Sequence, residues 1–408
     1  MDNTNKTDKK LKKGFTTGSV ATLAAKAAVY MLLTGEIIDE DYIILPGGEK
    51  YASKICAPYV DENKKQASCF VKKPESDDPD VTAGIKIYAT VSLTQADNSD
   101  ELQEKTKERV NENFAYTSSA KTEENIEITG GEGIGIVTRP GLNQKISEYA
   151  INETPRKMIK QAVSEVMDEL GFYGRLKVEI SAPEGIEIAK KTFNPHMGIE
   201  GGISIIGTTG IVEPMSTKAL TDTILLDLKM HYEENNKRCI IVPGNYGVTF
   251  LKNSYGISEK EIVLCSNYVG ESIKMAVDTG FKNIIFCSHI GKLIKVYGGI
   301  MNTHSMYGDH RMELMKTAFL KIMGGNKEYL DTAEEIMNCV STTAVLDLLF
   351  NSQNGKQIVN DISNEIVRES LNNLYKAAKM SEKFDDDILI KCIMYENSYG
   401  ELSNSDFI

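Results

Sequence analysis

The spacing of apolar positions changes near residue 200 and predicts two kinds of domain. In the first part, an apolar stripe at helical spacing over residues 20–32 begins behind Thr17 or Ser19 and stops at Gly35. A second helix is predicted at 155–170. Strands are predicted at 42–45, 67–71, 85–93, 126–128 and 176–180. Because these helices and strands do not strictly alternate, residues 14–200 are predicted to form an α+β domain.

From residue 201 the pattern becomes strand, glycine-containing turn and helix. Continuous apolar strands are predicted at 203–206, 239–242, 262–265 and 284–287. Apolar strands that alternate with helices are typical of a parallel sheet covered on both faces. Residues 201–385 are therefore predicted to form a Rossmann-like α/β domain with a mainly parallel sheet and a helical C-terminal part. Such sheets bind ligands at the carboxyl ends of their strands.

Three segments lack a core pattern. Residues 1–13 are lysine-rich and predict a disordered basic tail, residues 95–124 predict a polar insertion, and residues 386–408 predict an exposed acidic tail. Lys26 interrupts the apolar run of the first helix. The longest uninterrupted apolar stretch is therefore far shorter than the ~20 residues of a membrane span, which predicts a core helix and no membrane association.

Charge and cysteine content narrow the function. The formal net charge is -12, which disfavours a nucleic-acid binder because such proteins gather Lys and Arg into a dominant basic face. Seven cysteines are scattered without a C-x-x-C pair, so no zinc knuckle or redox dithiol is indicated and no metal site is predicted. Reduced thiols of this kind favour a cytoplasmic location, and the composition leaves a homo-oligomer open.

Two glycine turns at predicted strand ends are candidate ligand sites. Gly207-Thr208-Thr209-Gly210 offers backbone N–H groups and hydroxyls that suit an anion or carboxylate. Gly244-Asn245-Tyr246-Gly247 would let the backbone approach a nucleotide-like ligand, although the same residues are typical of a plain strand-to-helix turn. The Lys of a Walker loop is missing from the first turn, which disfavours ATP hydrolysis.

Other polar residues have both a structural and a functional interpretation. The hydroxyls of Thr16, Thr17 and Ser19 can cap the first helix or bind a carboxylate at its positive end. The acidic run 77–80 suits a turn, a cation site or a general base. Ser288 and His289 follow a predicted strand and precede several cationic residues, a pattern that favours a pocket for a polycarboxylate ligand.

These stretches together resemble the CbiD family. The segments that carry the resemblance are residues 14–19, 77–82, 130–142, 155–159, 194–216, 243–247 and 288–292. It extends from about residue 12 to 350, and the polar segment 95–124 and the acidic C-terminus depart from the family pattern. The resemblance implies methylation at ring carbon 1 of cobalt-precorrin-5B, giving cobalt-precorrin-6A in anaerobic cobalamin biosynthesis. It also implies S-adenosylmethionine as the cofactor, with the cobalt carried by the corrin substrate.

The resemblance implies a role for each group of candidate residues. Cofactor contacts are expected at both glycine turns and at the end of the third predicted strand, namely at Gly207, Thr208, Thr209, Gly210, Gly244, Asn245, Tyr246, Gly247, Ser266 and Asn267. Substrate carboxylates are expected at Thr16, Thr17, Ser19, Asp78, Asp80, Arg139, Ser288 and Lys292. His289 is expected to position a group or remove a proton. The alternatives are an NAD-linked oxidoreductase, which the incomplete glycine fingerprint disfavours, and a non-catalytic tetrapyrrole-binding protein.

Overall fold

The chain folds into two compact mixed α/β units, 1–216 and 217–408, as a computed structural model shows. The structure describes residues 11–94, 122–214, 216–234 and 238–407. Most of the predicted basic tail and polar insertion, residues 1–10 and 95–121, lies outside the described residues.

The first unit surrounds one long helix with short strands. Its helices are α1 (Thr17–Thr34), α2 (Glu153–Glu169) and α3 (Gly185–Ala189). Its strands are β1 (Gly14–Phe15), β2 (Glu40–Ile44), β3 (Lys50–Lys54), β4 (Cys56–Val60), β5 (Gln66–Lys72), β6 (Lys86–Leu93), β7 (Ile126–Gly130), β8 (Ile136–Val137), β9 (Leu176–Ser181), β10 (Ile199–Glu200) and β11 (Ile211–Val212). A five-stranded sheet has the order β4-β5-β6-β9-β7, in which β7 and β9 are parallel and the other pairs antiparallel.

Helix α1 is the centre of this unit. It packs against α2 and against strands β5 and β6. Gly18 allows α1 and α2 to approach each other closely, because a Cβ on Gly18 would lie 2.7 Å from the Pro155 ring of α2. Gly35 ends the helix in the left-handed conformation, as predicted. By length and composition α1 could cross a membrane, but 78% of its most apolar window is buried inside the unit, as in a core helix.

Residues 201–214 belong to the first unit, and the strand predicted at 203–206 is wrong. Ile203 and Ile205 form only isolated bridges, to Ile134 and Ile151. The backbone of this segment lies directly against the backbone of the loop that follows β7. Only glycine allows this contact at position 202, because a Cβ on Gly202 would lie 2.2 Å from the Gly133 carbonyl oxygen. This contact buries the apolar run, and no parallel sheet is involved. The apolar pattern alone therefore led to the wrong prediction of a strand.

The second unit contains a five-stranded sheet and most of the helices that the structure describes. Its strands are β12 (Arg238–Val242), β13 (Ile262–Leu264), β14 (Asn283–His289), β15 (Leu389–Glu396) and β16 (Gly400–Asn404). Its helices are α4 (Thr217–Glu233), α5 (Asn245–Tyr255), α6 (Val269–Thr279), α7 (Ile290–Tyr297), α8 (Arg311–Met323), α9 (Lys327–Met337), α10 (Thr342–Phe350) and α11 (Gly355–Ala378). The strand order is β13-β12-β14-β15-β16, with β16 antiparallel and the others parallel.

Both faces of this sheet are covered, which explains the continuous apolar strands. In β12, Cys239 and Ile241 join the core formed with α4, α6, α7 and the later helices. Ile240 and Val242 alternate with them and pack on the other face with Leu251 of α5. Helices α5 and α6 therefore lie on opposite faces of the sheet.

The predicted acidic tail 386–408 is wrong for most of its length. Strand β15 pairs with β14 from Asn283 through His289, and β16 closes the sheet. Ile390, Cys392 and Met394 are buried in the main core of the unit. Asp386 and Asp387 lie in the turn before β15, so the overall charge of the segment concealed the apolar strand that follows them.

Candidate functional site

The groups predicted from β12, β13 and β14 meet at the carboxyl edge of the second unit's sheet. The three strands are parallel, so the turns that follow them lie at the same edge. From β12 the chain passes first to β13 on one side and then to β14 on the other. A ligand crevice is expected at such a reversal. Here it falls between the turn at Gly244 and the residues Ser288 and His289.

Different structural features explain the two glycines of the turn after β12. A Cβ on Gly247 would lie 2.9 Å from Cβ of Val242, so Gly247 allows α5 to pack against the strand end. A Cβ on Gly244 would meet no heavy atom of the described residues within 4 Å, and its φ of 174° is extended. Asn245 and Tyr246 are exposed beside it. The space at Gly244 is thus open to a ligand.

Lys292 links the turn after β12 to the turn after β13. Its Nζ donates to the carbonyl oxygens of Pro243, at 3.4 Å, and Ser266, at 3.3 Å. Burial lowers the pKa of Lys292. Ser266 has a φ of 54°, a strained left-handed backbone for a non-glycine residue. The ammonium group holds both turns together at the edge.

Asn267, the next residue, fixes a later loop to the same edge. Its carbonyl oxygen accepts from the Thr303 backbone N–H at 2.9 Å, and its Oδ1 accepts from the Thr303 hydroxyl at 3.2 Å. The side chain of Asn267 is therefore engaged within the protein.

His289 caps helix α7 with one nitrogen and faces a carboxylate with the other. Nδ1 accepts from the backbone N–H of Gly291 at 3.0 Å, and Nε2 lies 3.6 Å from Oε1 of Glu396. Burial lowers the pKa of His289, and the Glu396 carboxylate opposes this shift. The neighbouring Ser288 is buried, and its hydroxyl donates to the His289 carbonyl.

Glu396 is a site residue that sequence reasoning missed. It ends β15 and is buried, and it accepts from the Thr343 hydroxyl and from the backbone N–H groups of Ser398 and Tyr399. The apolar run 388–395, interrupted only by Lys391, was the sequence signal that could have found the strand.

In the first unit the structure brings the α1 hydroxyls together with residues 204–210. The Ser19 hydroxyl donates to the Gly210 carbonyl at 2.7 Å, and the Thr17 hydroxyl accepts from the Ile206 N–H at 2.9 Å. Thr16 caps α1 by accepting from the Ser19 N–H. All three hydroxyls are buried. In this structure they bind backbone groups of the same unit.

Contacts within the first unit also explain the glycines of the first predicted cofactor turn, residues 207–210. A Cβ on Gly207 would lie 2.2 Å from the Thr16 hydroxyl oxygen, and one on Gly210 would lie 2.8 Å from that of Ser19. Both glycines have positive φ, at 137° and 83°. Thr208 and Thr209 lie between them and are exposed. Only these two side chains of the turn are presented to solvent.

Asp80 forms an ion pair and hydrogen bonds within the first unit. Its carboxylate pairs with the buried ammonium of Lys73, and Oδ1 accepts from the Thr82 N–H at 2.7 Å. Burial raises the pKa of Asp80, but the hydrogen bonds from Lys73 and Thr82 outweigh it and hold the pKa below its usual range. Asp78 lies partly buried in the same turn.

Arg139 lies in the loop after β8. Its Nη1 donates to the carbonyl oxygen of His196 at 2.6 Å, and its side chain packs against Gly198. This hydrogen bond and this packing hold the segment before β10 in place.

Comparison with known proteins identifies the family. The sequence profile of the CbiD family matches residues 4–214. The chain is similar to cobalt-precorrin-5B C(1)-methyltransferases from Ruminiclostridium cellulolyticum, at 41% identity over 90% of this chain and 86% of that protein, and from Clostridioides difficile, at 37% identity over 98% and 95%. A crystal structure of the cobalamin biosynthesis protein CbiD from Archaeoglobus fulgidus is 24% identical, with a TM-score of 0.37 over 74% of this chain and 84% of that one. The chain therefore belongs to the CbiD family, the family of cobalt-precorrin-5B C(1)-methyltransferases.

Proposed function

We propose that this protein is an enzyme that methylates ring carbon 1 of cobalt-precorrin-5B with S-adenosylmethionine, giving cobalt-precorrin-6A. The observation that carries the proposal is the similarity to the cobalt-precorrin-5B C(1)-methyltransferase from Clostridioides difficile. This similarity extends over nearly the whole length of this chain and of that protein. The NAD-linked oxidoreductase and the non-catalytic tetrapyrrole binder receive no support from the relatives.

The chemistry asks for positioning more than for a protein nucleophile. An electron pair of the ring forms the new carbon–carbon bond while the sulfur–carbon bond of the sulfonium breaks, and S-adenosylhomocysteine leaves. The rate depends on holding the two carbons in line at near-contact distance. The cobalt arrives with the substrate, so its binding needs no ligand set in the protein.

The proposed cofactor site is the carboxyl edge of the second unit, whose sheet we interpret as Rossmann-like. Gly244 leaves open space there, and Asn245 and Tyr246 are exposed next to it. The strand order places the reversal point between this turn and His289. We propose that the nucleoside part of S-adenosylmethionine lies against Gly244, with Ser266 in the neighbouring turn.

The contribution of the first unit is proposed more narrowly. Gly207 and Gly210 face Thr16 and Ser19, which explains them without a ligand. Thr208 and Thr209 remain proposed ligand contacts because their side chains are exposed.

We place the protein in the cytoplasm. All seven cysteines are free thiols, and Cys69, Cys239, Cys265, Cys287 and Cys392 are buried. Burial raises the pKa of Cys265 to about 12, which keeps its thiol protonated and unreactive. Such thiols are typical of a reducing compartment.

The test is methyl transfer itself. Purified protein is incubated with cobalt-precorrin-5B and S-adenosylmethionine labelled in its methyl group, and the corrin product and S-adenosylhomocysteine are followed by mass spectrometry. We expect one labelled methyl group on the corrin for each S-adenosylhomocysteine formed. A parallel reaction with NAD in place of S-adenosylmethionine is the control. Unchanged substrate in the presence of folded protein would refute the proposal.

A further inference from the structure

Glu396, the last residue of β15, has a carboxylate that is held in one place. Its Oε2 accepts from the backbone N–H groups of Ser398, at 2.6 Å, and Tyr399, at 3.1 Å, and its Oε1 accepts from the Thr343 hydroxyl at 3.1 Å. The side chain is buried. Turning the carboxylate away would leave buried donors without an acceptor, which is costly. Oε1 therefore has a fixed position opposite His289.

The contacts of His289 determine which of its ring nitrogens carries the proton. A backbone N–H can only donate, so Nδ1, which lies 3.0 Å from the Gly291 nitrogen, is the unprotonated acceptor. In the neutral ring the proton is then on Nε2. Nε2 lies 3.6 Å from Oε1 of Glu396, and a carboxylate oxygen favours a protonated nitrogen opposite it. The backbone of α7 and the carboxylate thus select the same tautomer.

Aromatic packing fixes the plane of the same imidazole ring. His289 meets Tyr395 edge to face, with the ring centroids 5.5 Å apart. Tyr395 is buried and stacks on Phe250 with the ring centroids at 4.4 Å. Phe250 belongs to α5, the helix that begins directly after Gly244. His289 is therefore packed, through two aromatic rings, against the helix that follows the proposed cofactor turn.

We propose that Glu396 is a positioning residue, which holds His289 in the Nε2–H tautomer and in one ring orientation at the edge where S-adenosylmethionine is proposed to bind. The inference rests on the proposed function, because it assigns the fixed ring to the methyl-transfer site. The His289 side chain is 28% exposed, whereas that of Glu396 is 4% exposed. A ligand at this edge can therefore touch His289, and Glu396 acts through it.

The variant Glu396→Gln separates positioning from folding. The oxygen of the introduced amide can keep the backbone N–H groups of Ser398 and Tyr399, which leaves its NH2 group facing His289. Because an NH2 group only donates, it opposes a proton on Nε2 and favours one on Nδ1. A proton on Nδ1 in turn takes away the acceptor of the Gly291 N–H. The variant thus changes the contact with His289 while the end of β15 keeps its own hydrogen bonds.

The tautomer is measured by ¹⁵N NMR of full-length protein with labelled histidine, without substrate or cofactor. The chain has five histidines, and the signals of His289 are those that His289→Gln removes. We expect Nε2–H in wild type and a detectable Nδ1–H form in Glu396→Gln. The matched control is Glu365→Gln, which replaces another buried carboxylate of the same unit, paired with Lys321 and Arg368. It should leave the His289 signals unchanged.

Turnover in the methyl-transfer assay tests whether Glu396 acts through His289. We expect Glu396→Gln to lower kcat about tenfold or more when His289 is present. In the His289→Gln background we expect little further effect, because the amide at position 289 can turn its oxygen toward the amide at position 396. Circular dichroism checks that each variant is folded.

Three results overturn the proposal. The first is an Nδ1–H tautomer in wild type, which needs no variant, and the second is an unchanged tautomer in folded Glu396→Gln. The third is an equal loss of kcat in both backgrounds, which would mean that Glu396 supports the fold and does not act through His289. Wild-type protein that shows Nε2–H but transfers no methyl group refutes the proposed function instead, since the tautomer is measured without substrate.

Discussion

Gly244 and Gly325 share a property that makes them a matched pair at the scale of single residues. A Cβ on either glycine would meet no heavy atom of the described residues within 4 Å, and neither has the positive φ that favours glycine. Gly244 follows β12, whereas Gly325 lies in the connection between α8 and α9. Any difference between valine variants at the two positions therefore reports on a ligand and not on packing.

We predict that Gly244→Val lowers the affinity for S-adenosylhomocysteine at least about tenfold, roughly 1.4 kcal/mol, while the protein stays folded. The reason is that a branched side chain fills the space in which the cofactor would approach the protein backbone at this position. Titration calorimetry measures the affinity, and circular dichroism checks the fold. Gly325→Val should bind like wild type. Normal binding by Gly244→Val would move the cofactor away from this turn.

The geometry of His289 favours positioning over proton removal. Nδ1 is occupied by the Gly291 N–H and Nε2 faces Glu396, so the neutral ring bridges the start of α7 and the end of β15. We predict that His289→Gln, whose amide can reach Glu396, keeps most of the turnover, whereas His289→Ala loses more. If both variants lose about 100-fold or more with cofactor affinity intact, His289 is a general base instead.

The lowered pKa of His289 also predicts a pH dependence of stability. The unfolded chain takes up the proton near its ordinary pKa of about 6.5, whereas the folded protein resists protonation until lower pH. The stability contributed by neutral His289 is therefore present above about pH 6.5 and is lost as pH falls from there through the folded-state pKa. Chemical denaturation of wild type and His289→Gln across this window should show a larger loss of stability in wild type than in the variant.

Strand β15 is the test case at the scale of elements. Cys392 is fully buried between β14 and the helices, whereas Leu389 at the start of the same strand is about half exposed. We predict that Cys392→Asp destabilises the protein by more than about 3 kcal/mol, because it buries a carboxylate without a partner. Leu389→Asp should stay near wild type. Thermal unfolding distinguishes this strand from the acidic tail that the composition predicted, for which both variants would be harmless.

Elements whose period and end signals agree were predictable from sequence. Helix α1 runs from its hydroxyl cap to Gly35, and strands β12 to β14 lie where continuous apolar runs end in turns. The run at 203–206 was not predictable, because burial by a glycine-mediated backbone crossing leaves the same apolar signal as a parallel strand. The partners of the Thr17 and Ser19 hydroxyls could not be predicted either, because they lie 187 and 191 residues away in sequence.

At the scale of the whole molecule, each unit has a hydrophobic core of its own. One core comprises residues from Val20 to Ile205, and the second unit has one core on each face of its sheet. Units with separate cores can fold independently in principle. The proposed cofactor turns at Gly244 and Ser266 both belong to the second unit.

We therefore predict that a fragment of residues 217–408 folds alone and binds S-adenosylhomocysteine within about tenfold of the full-length affinity. The fragment contains all five strands of its sheet and the hydrogen bonds of Lys292 that link the turns after β12 and β13. Calorimetry on the fragment measures the binding, and the Gly244→Val fragment serves as the control that should bind poorly. A folded fragment without affinity would mean that the first unit is required, and Thr208 and Thr209 would then be the next residues to replace.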